Sequence, residues 1–200
     1  KILDECSIEL KSGLHNNKRT FTGSKESDFK LLTKLALNGC KKRYGNRHPK
    51  AEERVRRELK VIERLDFCKY FLITWDIIRY AHTSGYHHVG RGSGANSIVA
   101  FCLWITDVDP LELDLYFERF INPYRTSPPD FDLDFSWDER DDVTDYIFKR
   151  YGREHVALLA TYSTFKGKSI VRELGKVFGL PKEEIDHLIK KPEDVGKHHK

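Results

Sequence analysis

SPPDFDLDFSWDE, residues 127–139, alternates Asp130, Asp132 and Asp134 with Phe131, Leu133 and Phe135. A strand has a side-chain period of two, so this pattern predicts a strand with two unlike faces. Phe131, Leu133 and Phe135 point into a core, and the three aspartates share the opposite face. Neighbouring aspartates there are roughly 6.5–7 Å apart at Cα. Aspartate is poor in strands, and like charges in a row repel. A divalent cation offsets both costs, because Mg²⁺, Mn²⁺ and Ca²⁺ take carboxylate oxygens as ligands. Two bland readings compete. An exposed edge strand also carries charge, but more often lysine, and it needs no strict alternation. An EF-hand loop matches Asp130, Asp132, Asp134, Asp138 and Asp141 loosely. It wants Gly at its sixth place, held here by Phe135, and a bidentate Glu at its last, held by Asp141.

A second stretch, VGRGSGANS (residues 89–97), is a glycine-rich turn expected to open a largely apolar helix that Asp107, Asp109 and Pro110 end. It lacks the spacing and the Lys-Ser/Thr of a P-loop. No apolar strand precedes it, so it is not a dinucleotide fingerprint. Gly90, Gly92 and Gly94 allow close backbone approach to a ligand. A helix start offers amide donors and positive dipole to an anion. Ser93 adds a hydroxyl, and Arg91 a guanidinium fork suited to phosphate. The bland reading is a tight turn with close helix packing. Set beside a carboxylate strand, the turn suggests nucleotidyl transfer with two metal ions about 3.5–4 Å apart.

The rest of the chain bounds these readings. Its 200 residues suffice for one domain, or one and a piece of another. It begins at Lys1, contains no Met and is read as a fragment of something longer. A hydrophobic share of 39% permits a core, and a net charge of +4 permits a nucleic-acid partner without demanding one. Cys6, Cys40, Cys68 and Cys102 form no CxxC pair, which argues against a disulfide framework or zinc site and for a reducing cytoplasm. The longest apolar run, IVAFCLWI, is too short to span a bilayer.

Residues 1–30 read as an irregular connector, with Ser27 capping a helix that carries Phe29, Leu32 and Leu35 and has Gly39 near its end. Pro49 opens a second helix with a Val55, Leu59, Ile62 and Leu65 stripe. Residues 41–64 carry ten Lys/Arg against four Glu, read as a solvated face rather than a phosphate-facing one. YFLITWDIIRYAHTSG predicts a buried helix closed by Gly85, and DDVTDYIFKRYG an amphipathic one with Val143, Tyr146, Ile147 and Tyr151 inward. HVALLATY, short and apolar, predicts a buried strand. TFKGKSIVRELGKVFG predicts a helix with Ile170, Leu174, Val177 and Phe178 inward. Pro181 starts a last helix, which Pro192 ends. His87 and His88 read as loop surface, His198 and His199 as a frayed end. The expected class is α/β (α+β): helices packed on a small mixed sheet.

YFLITWDIIRYA, GRGSGANSIVAFCLWITDVDPLELDLYFERFINP, SPPDFDLDFSWDERDDV and YGREHVALLATYSTFKGKSIVRELGKVFGLP resemble the polymerase core of the family C bacterial replicative polymerases, the DNA polymerase III alpha subunits. The resemblance runs from about residue 50 to 190. It implies a palm of the polymerase beta-type nucleotidyltransferases at 49–163, a connector from a preceding PHP domain at 1–48, and the start of a thumb at 164–200. It assigns Asp132 and Asp134 as catalytic metal ligands with Asp130 beside them, for two Mg²⁺ in the complete site. Gly92 and Ser93 match the element that meets the triphosphate, and Arg91 and Arg119, the latter in FERF, are further phosphate candidates. The loop before Gly90 is one residue shorter than the family's usual pattern, and the family's third catalytic aspartate lies beyond this chain. The implied activity is template-directed DNA synthesis in a cytoplasmic replicase, with primer-template DNA, dNTP and other replicase subunits as partners and no membrane. The fragment alone is expected to be inactive. Two alternatives stay open: a non-catalytic metal-binding or interaction module, and another nucleotidyltransferase of the same superfamily.

Overall fold

Helix α1 (Lys25–Tyr44) begins where Ser24, in extended backbone, accepts a hydrogen bond from the Ser27 amide. The cap is thus three residues earlier than expected, and Ser27 lies inside the first turn. The computed structural model describes residues 16–122, 124, 130–159 and 161–190. These form two compact units that divide between Ala157 and Leu158.

In the first unit α1 runs through Gly39 without stopping. That glycine serves packing instead: a Cβ there would lie 1.9 Å from the Cys102 carbonyl oxygen. Helix α2 (Pro49–Arg64) starts with Pro49 in its first turn and the His48 ring accepting from the Ala51 amide. It buries Val55, Leu59 and Ile62. Helix α3 (Cys68–Thr83) is mostly interior, with Phe71, Leu72 and Ile78 at most 1% exposed. Its chain then turns at Gly85, φ +79°. Leu32 and Ala36 of α1 join these residues in one core.

Strand β1 (His88–Arg91) follows, then a 3₁₀ turn (Gly92–Asn96) and the short helix α4 (Ile98–Cys102). Two expectations change here. A strand does precede the glycine turn, though not an apolar one: its inward positions hold His88, beside the Phe135 ring, and Gly90, against backbone. A Cβ on Gly90 would sit 1.7 Å from the Ile105 carbonyl oxygen, and Thr106 Oγ1 donates to the Gly90 carbonyl at 3.0 Å. The helix also ends at Cys102, with Trp104 at φ +59° turning the chain well before Asp107. His88 is not loop surface. It lies in β1, where its ring Nε2 is 3.0 Å from the Trp104 carbonyl oxygen, and burial lowers its pKa.

A second 3₁₀ turn (Phe117–Arg119) leads to β2 (Asp132–Phe135), and β1 and β2 pair antiparallel. Helix α5 (Arg140–Tyr151) stops at Gly152, φ +80°. It is pinned to α3 by Asp76, which is 1% exposed. This carboxylate accepts from Arg79 (2.7 Å), Tyr146 (2.8 Å), Tyr151 (2.9 Å) and Arg150 (3.1 Å). Burial alone would raise the Asp76 pKa, but these donors outweigh it and hold it below its ordinary value. The segment expected as a strand, residues 155–162, is not one among its described residues. Leu158, Leu159 and Tyr162 are exposed. An apolar run becomes a strand only beside a partner, and the sheet consists of β1 and β2.

The second unit holds α6 (Lys168–Val177) and α7 (Lys182–Lys190). They meet at Gly175, where a Cβ would lie 2.6 Å from Ile185 Cγ1. Ile170, Leu174, Val177 and Phe178, expected inward, are exposed, because two short helices cannot surround an apolar face. Pro192 and the pair His198 and His199 lie outside the described residues. No helix among the described residues is long and apolar enough to cross a membrane.

Candidate active site

The pairing register decides the geometry. Arg91 lies opposite Asp132, and Val89 opposite Asp134. Directly opposed residues share a face of a sheet, so the guanidinium and both carboxylates project together. Arg91 Nε donates to Asp134 Oδ2 at 2.7 Å, and its Nη1 lies 3.5 Å from Asp132 Oδ2. Both carboxylates remain about half exposed, at 45% and 54% of the side chain. The hydrogen bond Arg91 donates to Asp134, then the two negative charges, raise the Arg91 pKa. Asp130 precedes the strand and is exposed; it does not join this pair in the register.

The strand's other face explains its interleaved apolar residues. Phe131 stacks on Tyr70 (centroids 5.2 Å, 16°) and packs against Phe71 and Phe120 at 5.2 and 5.0 Å. The Tyr70 hydroxyl accepts from the Phe131 amide at 2.8 Å, which fixes where the strand begins. Leu133 and Phe135 are half-buried against the same core.

The glycine turn is held against this strand. Gly92 has φ +77°, and a Cβ there would meet Asp132 Oδ2 at 2.6 Å. A Cβ on Gly94 would meet the Phe131 ring at 2.8 Å and reach Phe120 at 3.9 Å. Asn96 Nδ2 donates to the Ser93 carbonyl at 2.9 Å, closing the turn, while Ser93 itself faces solvent. The 3₁₀ turn ending at Arg119 packs beside this one, anchored by the buried Phe117 and Phe120. Arg119 is exposed. The structure therefore gathers Asp132, Asp134, Arg91 and Gly92 at one place, with Ser93 next in the chain and Arg119 on the neighbouring turn.

Two residues that matter here escaped the sequence reading. The basic run at 41–64 predicts a solvated Arg54, yet only 12% of its side chain is exposed, and Glu58 is fully buried. They pair at 3.1 Å. The legible signal was Glu58 itself, a carboxylate three residues after Val55 and four before Ile62, on the apolar stripe. Burial pushes its pKa up against the pull of Arg54, Ser97 and the Ile98 and Val99 amides.

The EF-hand reading fails on this geometry: Asp132 and Asp134 lie in a paired strand, and Asp141 is already in α5. Among the described residues no three His, Cys, Asp or Glu side chains come together as a metal site.

The family described as bacterial DNA polymerase III alpha NTPase domain matches residues 30–199. The chain belongs to this family. Among relatives of the polymerase III alpha family, an error-prone DNA polymerase of Symbiobacterium thermophilum is 42% identical over 192 residues, covering 95% of this chain and 18% of that protein. A DNA polymerase III subunit alpha of Bacillus subtilis is 40% identical over 191 residues, covering 95% of this chain and 17% of its own. That of Escherichia coli O157:H7 is 38% identical over 208 residues, covering 98% and 18%. The chain thus spans under a fifth of the length of these polymerase III alpha relatives.

Proposed function

We propose that this chain carries the catalytic carboxylates of a DNA-directed DNA polymerase, part of a palm at residues 49–163 with a connector at 1–48 and the start of a thumb at 164–200. One observation carries the reading: Asp132 and Asp134 project from one face of β2 with Gly92 pressed against Asp132.

The carboxylate pair fits a divalent ion. Its donors are hard oxygens of the kind Mg²⁺ prefers, and it already attracts one cation, the Arg91 guanidinium that spans both side chains. Asp132 and Asp134 would hold Mg²⁺, with Asp130 a further ligand from the strand's approach. The resemblance to the family implies one more catalytic aspartate, beyond this chain, to complete the set for two ions. When bound, the ions activate the primer 3′-hydroxyl and neutralise charge developing on the phosphates.

The remaining work falls to residues of this chain. The Gly92–Ser93 amides and the Ser93 hydroxyl bind triphosphate oxygens, where the lack of a Cβ at Gly92 leaves the carboxylate and backbone side by side. Arg91, about half exposed beside Asp132 and Asp134, would turn its guanidinium to a phosphate oxygen, and Arg119 approaches from the neighbouring turn. Catalysis here is positioning plus charge neutralisation. Primer-template DNA and dNTP are the substrates, other replicase subunits the partners, and the cytoplasm the setting. Alone, the 200-residue chain is inactive.

Primer extension by the intact polymerase with Asp134→Ala tests the reading. Loss of a preorganised electrostatic group costs on the order of 10²–10³-fold or more. Near-normal extension would overturn the assignment.

A further inference from the structure

The Gly92–Asn96 turn is held from behind by the Arg54 side chain. Arg54 Nη2 donates to the carbonyl of Asn96 at 3.0 Å and to that of Leu115 at 2.7 Å, while Nη1 donates to Pro110 at 3.2 Å. Asn96 is the last residue of the turn. Leu115 lies two residues before the Phe117–Arg119 turn. One guanidinium therefore ties the end of the Gly-Ser turn to the approach of Arg119. Its partner Glu58 holds the next residues: Oε2 accepts from Ser97 Oγ at 2.9 Å and from the Val99 amide at 3.2 Å. The two side chains fix both sides of the junction between the turn and α4.

We propose that Arg54 and Glu58 are positioning residues for nucleotide binding, setting where the Gly92–Ser93 turn and Arg119 stand relative to Asp132 and Asp134. The inference rests on the function proposed above for those residues. Stability alone does not explain the pair. A buried ion pair can often be replaced by apolar residues of similar volume with no loss of stability. Apolar side chains cannot, however, bind three carbonyls from two chain segments. Only the planar, five-donor fork of arginine does that, and a lysine ammonium cannot reproduce it.

The test uses the intact polymerase with Arg54→Lys and with the double variant Arg54→Met, Glu58→Met. Thermal midpoint, primer-template affinity and steady-state nucleotide kinetics are measured on each. Both variants should stay folded, with midpoints lowered by the carbonyls left without a donor, and should keep a primer-template affinity near wild type. Their kcat/KM for nucleotide should fall on the order of 100-fold, the scale of a misplacement of about 1 Å. The fall should appear first as a raised nucleotide KM. If the double variant does not fold, Ser97→Ala removes the link to Glu58 together with the cap bond from the Ala100 amide, with little change of volume, and a fall of about tenfold in nucleotide kcat/KM is expected, the scale of one to two hydrogen bonds. Folded variants with wild-type nucleotide kcat/KM would overturn the proposal, as would full recovery with lysine at position 54. Asp134→Ala, assayed alongside, separates the two claims. Its retained extension would sink the carboxylate reading and this proposal with it. Its loss, beside unaffected Arg54 variants, would sink only the positioning role.

Discussion

Replacing Gly92 by alanine perturbs the site at its tightest point. The residue sits at φ +77°, where a residue with a Cβ is strained by about 1–2 kcal/mol. The new methyl would also lie 2.6 Å from Asp132 Oδ2, well inside van der Waals separation. That oxygen ends a half-exposed side chain, so it can swing away, and the stability cost stays close to the backbone term. At roughly 2–4 °C per kcal/mol for a chain of this size, the midpoint should drop by about 2–8 °C. Turnover should suffer more, because the carboxylate leaves its place: a shift of about 1 Å costs on the order of 100-fold, or about 2.7 kcal/mol at 1.36 per decade. Gly45→Ala is the control. Gly45 has φ +83° with nothing within 4 Å of a built Cβ, so it carries positive-φ strain, at least as large at its ψ of 176°, without the contact. Thermal unfolding of the chain, and single-nucleotide primer extension in the intact polymerase, should show both variants destabilised but only Gly92→Ala slowed. Equal turnover in the two would refute the argument that Gly92 is needed to leave room for Asp132.

Three further outcomes follow from the same contacts. Arg91→Gln removes the resident cation from the carboxylate pair, so Mn²⁺ titrated into the chain should bind severalfold more tightly, while nucleotide affinity of the intact polymerase falls; unchanged Mn²⁺ binding would contradict the bridging contact. Asp76→Asn should cost about 2–3 kcal/mol in urea unfolding, below the full cost of breaking a buried pair because Arg79 and Arg150 are about half exposed. The Asp76 pKa is depressed from 3.8 on folding, so its contribution is present above that value and lost as pH falls through the lower folded one, and the variant should unfold with a shallower acid dependence. Gly90→Ala forces a methyl to 1.7 Å from a backbone oxygen, so the sheet must shift; a midpoint within 1–2 °C of wild type would contradict the close packing of β1.

The sequence exposes β2 because its alternation is a purely local code: Phe131 and Leu133 need a core on one side, and Asp132 and Asp134 the opposite. Helices α2 and α3 were legible for a like reason, α2 through its apolar spacing and α3 through a run nearly apolar all round. Strand β1 was not, since its inward residues are His88 and Gly90, and what makes it a strand is its pairing with β2. Gly39 looked like a helix stop because its real cause, the Cys102 carbonyl, lies 63 residues away. The apolar run at 155–162 and the inward face expected for α6 misled in the opposite direction. Local pattern promises burial, but only a tertiary partner delivers it. At the site, the acids and the glycines could be read, whereas Arg91's bridge to both acids depends on a register that no single strand encodes. Arg54 and Glu58 were hidden among surface charges, although a carboxylate on the apolar stripe of α2 was there to be noticed.

Iron-mediated backbone cleavage addresses the central claim most directly. Fe²⁺ replaces the bound divalent ion in the intact polymerase with primer-template and dNTP, and ascorbate and peroxide then generate radicals that cut the nearest chain. Cuts should cluster at residues 132–134 and 91–93 together, and vanish with Asp132→Asn or excess Mg²⁺. Cleavage confined to other segments, or cuts at the strand without cuts at the turn, would contradict a shared metal and triphosphate site.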